Sequence, residues 1–180
     1  DGSINLDILE ACLYEISNEA EKNNTYDSIY LIRSTVVPGT TEKLQRNFPK
    51  LKIVFNPEFL TERSALFDFI SQTRIVLGGD KENVDKVKAL YQHRFGKNLS
   101  FIETNFQSAE LIKYVCNTFF ATKVSFLNEM KLLSDEIGAC WDEVLEGFLR
   151  DGRVGSSHSS VPGPDGKVGF GGSCLPKDIQ

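Results

Sequence analysis

The sequence predicts an α/β unit followed by an incomplete, mainly helical one. Three observations predict this. Short β-rich runs alternate with helical patterns over roughly residues 1–103. A helical pattern of unusual length then runs from Gln107 to Ile137. After Arg150 a Gly/Ser/Pro-rich stretch takes over and reaches Asp178-Ile179-Gln180 without closing the second unit.

Taken in order, Ile8, Leu9, Cys12, Leu13 and Ile16 recur at helical spacing and predict an amphipathic helix over about residues 5–22. Ile29 to Ile32 is a β-rich run ending at Arg33-Ser34-Thr35. Pro38-Gly39-Thr40-Thr41-Glu42 predicts a turn feeding a short capped helix through Asn47. Ile53-Val54-Phe55 and Arg74 to Gly79 predict two further strands of buried type. Val84, Val87, Leu90 and Tyr91 predict a helix, and Leu99 to Ile102 a last strand. This alternation predicts a parallel sheet. The second unit, residues 104–180, opens with Ile112, Val115, Phe119, Phe126, Met130, Leu133 and Ile137 along one helical face. Cys116, Phe120 and Leu127 add an apolar strip beside it, so the helix is expected to be covered on more than one side, by a larger domain or by another subunit. Gly138 is the expected C-cap, and Trp141 to Leu149 a second helix. The α/β unit begins on a helix and carries no G-x-G-x-x-G, so the chain reads as truncated at both ends.

Composition narrows the classes. Hydrophobic residues at 41% and charged residues at 25% fit an ordinary globular protein rather than a disordered one. The net charge of -5 gives no reason to expect nucleic acid as a partner. No apolar run approaches the ~20 residues that span a bilayer, and Asp1 to Asn5 do not read as a signal peptide, so a cytoplasmic protein without a membrane partner is expected. The cysteines at 12, 116, 140 and 174 have neither C-x-x-C nor metal-type spacing, and no metal is expected. Cys12, Cys116 and Cys140 read as small buried hydrophobes.

Cys174 differs, because Gly169-Phe170-Gly171-Gly172-Ser173 before it has no core-facing period. Those glycines let backbone approach a ligand, and Lys177 or a helix start would favour the thiolate. Asp178 could orient a water there; a flexible loop with an incidental cysteine is the alternative. Asn56-Pro57-Glu58-Phe59-Leu60-Thr61-Glu62 follows the strand at 53–55, at the strand end where α/β sheets bind ligands. Were a helix to begin there, Glu58 and Glu62 would share a face, either as a general base with its neighbour or as two acids at a helix dipole. Glu110, Lys113 and Asn117 share one stripe of the long helix. Facing a cleft, Lys113 and Asn117 could bind a developing oxyanion and a hydroxyl. Otherwise Glu110 and Lys113 are a surface pair and Asn117 is solvated. Arg153 and His158 could grip phosphate, but His158 receives no catalytic role.

In this order the motifs resemble the UDP-glucose/GDP-mannose dehydrogenase family. The likeness runs through Ser34-Thr35-Val36 with Pro38-Gly39-Thr40-Thr41, then Asn56-Pro57-Glu58-Phe59-Leu60 with Glu62, then Arg74 to Asp80. It continues in Ala109-Glu110-Leu111-Ile112-Lys113 with Asn117 and closes on Gly169 to Asp178. The resemblance implies the C-terminal half of a Rossmann-type NAD-binding domain, then part of a long-helix central domain that builds a homodimer. It implies oxidation of a sugar C6 alcohol to a carboxylate with NAD, through a thiohemiacetal and a thioester on Cys174. Glu58 would serve thioester hydrolysis, Lys113 with Asn117 the negative charge on oxygen, and Asp178 the water or the lysine. Thr35 would position water and nicotinamide, with Ser34, Val36, Glu62 and Cys174 also at the cofactor. The nucleotide sugar would meet Glu58, Phe59, Leu60, Glu62, Lys113 and Asn117, with Arg153 reaching across the dimer. Asp165, Gly166, Lys167, Val168, Gly169, Phe170 and Gly171 would enclose it. Val161 to Gly166 favours UDP-glucose, and GDP-mannose is the alternative substrate. A silent dimerisation module on the same scaffold is the reading from another class. Lacking the glycine-rich turn, the isolated chain is expected to be inactive and to bind NAD weakly.

Overall fold

The computed structural model describes residues 5–61, 64–163, 166–172 and 174–179, with the side chain of Cys174 outside the description. The chain divides into two compact units, Asp1–Lys113 and Tyr114–Gln180.

The first unit is built on four strands, β1 (Ile29–Ile32), β2 (Lys52–Phe55), β3 (Arg74–Gly79) and β4 (Ser100–Thr104), in the order β1-β2-β3-β4. Helices α1 (Asp7–Asn23), α2 (Thr40–Asn47), α3 (Ala65–Ile70) and α4 (Lys81–Phe95) connect or precede them. The two-residue period of the strands sorts their side chains into two cores. Ile53, Phe55 and Val76 pack with Leu13, Val36 and Leu44 on one face. Val54, Ile75 and Leu77 pack with Val84, Val87 and Tyr91 on the other. A sheet covered on both faces explains why these strands read as unbroken apolar runs. Each fully buried aliphatic or aromatic side chain there contributes roughly 1.5–3 kcal/mol.

The sheet is mixed, which corrects the all-parallel expectation. β1 pairs parallel with β2 and β3 with β4, but β3 runs antiparallel to β2, with Val54 opposite Gly79 and Phe55 opposite Gly78. Among its described residues, the connection from β2 to β3 holds one helix, the six-residue α3. That helix buries none of its residues fully, so it is not the packed crossover helix of a parallel βαβ unit. Nor does a helix begin at Asn56: residues 56–61 are irregular, so Glu58 does not sit on a helical face.

Helix α5 (Phe106–Ile137) begins in the first unit and continues into the second. Gly78 lets it approach β3, since a Cβ there would stand 2.6 Å from Cβ of Ala109 and 2.8 Å from the carbonyl oxygen of Asn105. In the second unit α5 is followed by α6 (Trp141–Leu149) and α7 (Cys174–Ile179). Gly138 ends α5 at φ 75°, with Ala139 N–H donating to Ser134 O at 2.9 Å. Leu127, Trp141 and Val161 form the core of this unit. Along α5, Val115, Phe119, Phe126, Leu133 and Ile137 are exposed, a stripe at heptad-like spacing.

The cysteines correct a second expectation, because Cys12 and Cys140 are exposed and Cys116 is half-buried. In α1 the buried residues are Leu13 and Ala20, which turns the neighbouring Cys12 about 100° away from the core. Cys140 precedes the first turn of α6, outside its apolar face.

Candidate active site

The first unit assembles its candidate residues at the carboxyl ends of β1 and β2. Backbone N–H of Asn56 donates to Ile32 O at 2.8 Å, so the strand pairing carries one residue past β2. The Asn56 side chain is buried, with a partner on each side of its amide. Its amide donates to Val76 O at 2.9 Å and its oxygen accepts from the Tyr91 hydroxyl at 2.6 Å. Pro57 is buried after it. These two residues hold Glu58, Phe59 and Leu60, all half-buried, at the sheet's rim.

Lys113 reaches this segment from α5, and is only 5% exposed. Its ammonium donates to the backbone oxygen of Glu58 at 2.6 Å and stands 3.6 Å from Oε1 of the same residue. The other carboxylate oxygen of Glu58 accepts from Leu60 N–H at 2.7 Å. The Phe59 ring lies beneath two cations, the Arg74 guanidinium at 4.4 Å and the Lys113 ammonium at 5.5 Å. Beside it, Phe59, Leu60, Gln72 and Arg74 help line a cavity of about 210 Å³. Burial of a lysine therefore has its compensation in a carbonyl, a carboxylate and a ring face.

On the β1 side, Ser34 is exposed, Thr35 half-buried and Val36 in the core. Arg33 just before them has a buried Nε without a hydrogen-bond partner. Glu110 is fully buried, and its carboxylate accepts from Gly39 N–H at 2.6 Å and Thr41 N–H at 2.8 Å. A surface Glu110–Lys113 pair is thus overturned, since both are buried and Glu110 serves the start of α2. Among the charged residues, the role of Glu110 is the one the sequence reading missed. Its only sequence signal was a charge within an apolar helix stripe.

The second unit brings together Asn117 and Asp178, 8% and 5% exposed. Asn117 Nδ2 donates to Asp178 Oδ2 at 2.5 Å, which overturns a solvated Asn117. Asp178 Oδ1 is buried, 2.8 Å from the Lys177 ammonium but outside hydrogen-bonding geometry. Cys174 opens α7, four residues before Asp178, so the two backbone positions lie about one helical turn apart. Glu62 and Asp165 lie outside the described residues, as does the Cys174 side chain. Of the expected enclosing loop, Gly166, Lys167, Val168, Gly169 and Gly171 are exposed and Phe170 is half-buried, with Gly166 and Gly169 at positive φ.

Arg153 projects outward, its side chain 89% exposed, with its guanidinium forked onto Asp151 at 2.9 and 2.5 Å. Arg153 hydrogen-bonds hold the Asp151 carboxyl below the usual carboxylate range. The loop behind it is fastened to α5, where the Lys123 ammonium donates to the carbonyls of Gly155 and Ser157. His158 stacks on Phe120 at 4.1 Å, and Trp141 Nε1 donates to Val161 O at 3.2 Å. Burial pushes the Lys123 ammonium down; His158 is lowered by burial first and by Lys123 second. Among the described residues no group of His, Cys, Asp or Glu could hold a metal ion, and no helix is long and apolar enough to cross a membrane.

A two-faced α/β sheet with polar residues at its strand ends, followed by a long-helix unit, has the architecture of part of a Rossmann-type protein. Residues 1–95 match the NAD binding domain of the UDP-glucose/GDP-mannose dehydrogenase family, and residues 107–180 match that family's central domain. The chain belongs to this family. It is 38% identical over 172 residues to UDP-glucose 6-dehydrogenase of Rickettsia prowazekii (strain Madrid E), across 93% of this chain and 38% of that protein. The structure resembles a UDP-glucose dehydrogenase from Pyrobaculum islandicum, with a TM-score of 0.82 and 32% identity over 99% of this chain and 41% of that one. It also resembles a GDP-mannose dehydrogenase from Pseudomonas aeruginosa, with a TM-score of 0.74 and 28% identity over 97% and 41%. The chain thus spans about two fifths of the length of these relatives.

Proposed function

We propose that the chain carries the catalytic part of an NAD-dependent nucleotide-sugar 6-dehydrogenase, with UDP-glucose as the favoured substrate and GDP-mannose as the alternative. The carrying observation is the buried Lys113 ammonium on the Glu58 backbone, with the Glu58 carboxylate 3.6 Å away. An ammonium has three donors, of which the Glu58 carbonyl takes one. The others can meet negative charge developing on a sugar oxygen. In this reading residues 1–103 belong to the NAD-binding domain and 104–180 to the central domain.

The residues at the β1 rim fit the cofactor. Ser34 and Thr35 leave hydroxyls at the carboxyl end of a strand, and the Arg33 Nε beside them is a buried donor without a protein partner. Ser34, Thr35, Val36 and Glu62 would hold the nicotinamide end. NAD, when bound, takes an electron pair in each of the two oxidations. The Cys174 thiolate adds to the C6 aldehyde, giving a thiohemiacetal that is oxidised to a thioester. Glu58 then accepts a proton from the water that attacks the thioester carbonyl, and the Cys174 thiolate leaves. Asn117 and Asp178 position that water and the substrate hydroxyl. Arg153 and residues 165–171 bind the nucleotide sugar, and the exposed α5 stripe pairs with a second copy. The protein works in the cytoplasm.

The test uses the full-length parent enzyme with NAD and a panel of UDP- and GDP-sugars. The reading expects two equivalents of NADH per uronic acid formed from one of them, UDP-glucose foremost. Oxidation of none of the sugars in the panel would sink it.

A further inference from the structure

The turn that follows β1 is held from a distance. Ile32 O accepts from Asn56 at its start, and Val36 is buried in the core at its centre. Its end has no comparable anchor of its own. Gly39, at φ 97°, enters α2 without a side-chain cap from its own residue. The anchor comes instead from Glu110, 71 residues away, whose two carboxylate oxygens each take one backbone N–H of this turn, Gly39 and Thr41. A carboxylate that is 0% exposed has left water entirely, and its only described hydrogen bonds are these two. The favourable field at a helix start offsets part of that desolvation.

We infer that Glu110 is a positioning residue for the cofactor: its carboxylate fixes the turn carrying Ser34, Thr35 and Val36 to the helix carrying Lys113. This rests on the proposal that Ser34 to Val36 contact NAD. Both ends of the contact lie in the first unit, and Glu110 is one turn of α5 before Lys113. A single buried side chain thereby sets the spacing between the residues proposed for cofactor and for oxyanion. Replacing the carboxylate with an amide leaves one acceptor and turns an N–H₂ group toward a backbone donor, so the turn loses one bond and gains a repulsion.

The experiment uses the full-length parent enzyme and steady-state kinetics with each substrate varied. Glu110→Gln should raise KM for NAD by about tenfold or more, the scale of one lost charge-assisted hydrogen bond. KM for the nucleotide sugar should stay within about twofold, because the Lys113 anchor on Glu58 is untouched. An unchanged KM for NAD, or an equal rise for both substrates, overturns the inference. If Glu110→Gln does not fold, Gly39→Ala decides. Its Cβ would meet nothing within 4 Å, so it strains only the positive-φ backbone of the same turn. The same selective rise is expected, and an NAD value at the wild-type level overturns the inference. Thr35→Ala separates the two levels. If it leaves KM for NAD unchanged, the cofactor assignment of this turn fails. If it raises KM while Glu110→Gln does not, the inference about Glu110 alone fails.

Discussion

Lys113 and Glu58 meet through the backbone of one and the side chain of the other. The 2.6 Å hydrogen bond ends on the Glu58 carbonyl oxygen, while the carboxylate stands at 3.6 Å. The lysine is therefore held in place by a group that does not titrate. Removing the negative charge of Glu58 should leave Lys113 where it is, so the two residues can be tested separately.

The covalent route predicts that two variants of the full-length enzyme fail differently. Glu58→Gln keeps the nucleophile and the lysine but lacks the base for hydrolysis, so a thioester should accumulate on Cys174. Cys174→Ser should form none, since an unactivated hydroxyl is a poor substitute for a thiolate. Mass spectrometry after incubation with nucleotide sugar and NAD should show the adduct on the glutamine variant only. A serine variant making uronic acid at near wild-type rate would remove Cys174 from the mechanism.

Tyr91→Phe should destabilise the first unit, because it leaves the buried Asn56 oxygen without its 2.6 Å donor. The expected loss is about 1–3 kcal/mol in denaturant unfolding. Burial raises the Tyr91 hydroxyl above its ordinary value, with Arg33 opposing. The folded state thus keeps a proton that the unfolded chain releases. Its contribution to stability is complete below the ordinary tyrosine value and declines as pH rises through the folded one. The alkaline decline should be shallower in the phenylalanine variant, and identical slopes would contradict this.

Gly78→Ala should be costly for a steric reason. The new Cβ would sit 2.6 Å from Ala109 Cβ and 2.8 Å from a backbone oxygen. Overpacking of this kind costs about 1–3 kcal/mol, and more where backbone must move. Thermal unfolding of the variant at or above the wild-type midpoint would refute the close approach of α5 to β3.

His158 should make the second unit sensitive to acid. Its folded value lies below the ordinary 6.5, because of burial first and the Lys123 charge second. The unfolded chain therefore takes up a proton that the folded loop resists. Stability is fully present above about 6.5 and is lost as pH falls through the lower folded value. Unfolding midpoints between pH 7 and 5, on the scale of an ordinary histidine titration, should fall in the wild type. They should stay flatter in His158→Phe, which retains a ring against Phe120.

The exposed stripe of α5 predicts association. Phe126 is 50% exposed and Phe119 61%, and a charge at either would have to be desolvated in a paired helix. Phe126→Glu should shift the full-length protein toward monomer in sedimentation velocity. A wild-type protein already monomeric at high concentration would contradict the pairing.

Strand and helix positions were legible because β2 and β3 are buried on both faces, β1 is a run of β-formers, and α5 is continuous in its period. Ile29 to Ile32, Arg74 to Gly79 and Trp141 to Leu149 coincide with β1, β3 and α6. Strand direction was not legible, because apolar runs carry no sign of polarity. Whether a helix begins at Glu58 stayed open in the sequence, because acidic spacing suits a helix and an irregular turn equally, and residues 56–61 are irregular. At the site, residue types were readable but contacts were not. Glu110 shows why: a charge on an apolar stripe reveals that something unusual is buried, not which backbone amides, 71 and 69 residues away, it satisfies.

The reversed β3 has a consequence for chain length. Gly78 lies opposite both Phe55 and Thr104, so β4 releases the chain level with the end of β2. From Thr104 the backbone turns directly into α5, and Lys113 follows within about two turns. The stretch between them works as a ruler with a rotational scale. One residue inserted or removed between Phe106 and Glu110 would swing Lys113 by about 100° and slide it about 1.5 Å, away from the Glu58 carbonyl. A change in the length of this stretch moves Lys113 itself, which no exchange of side chains within it does.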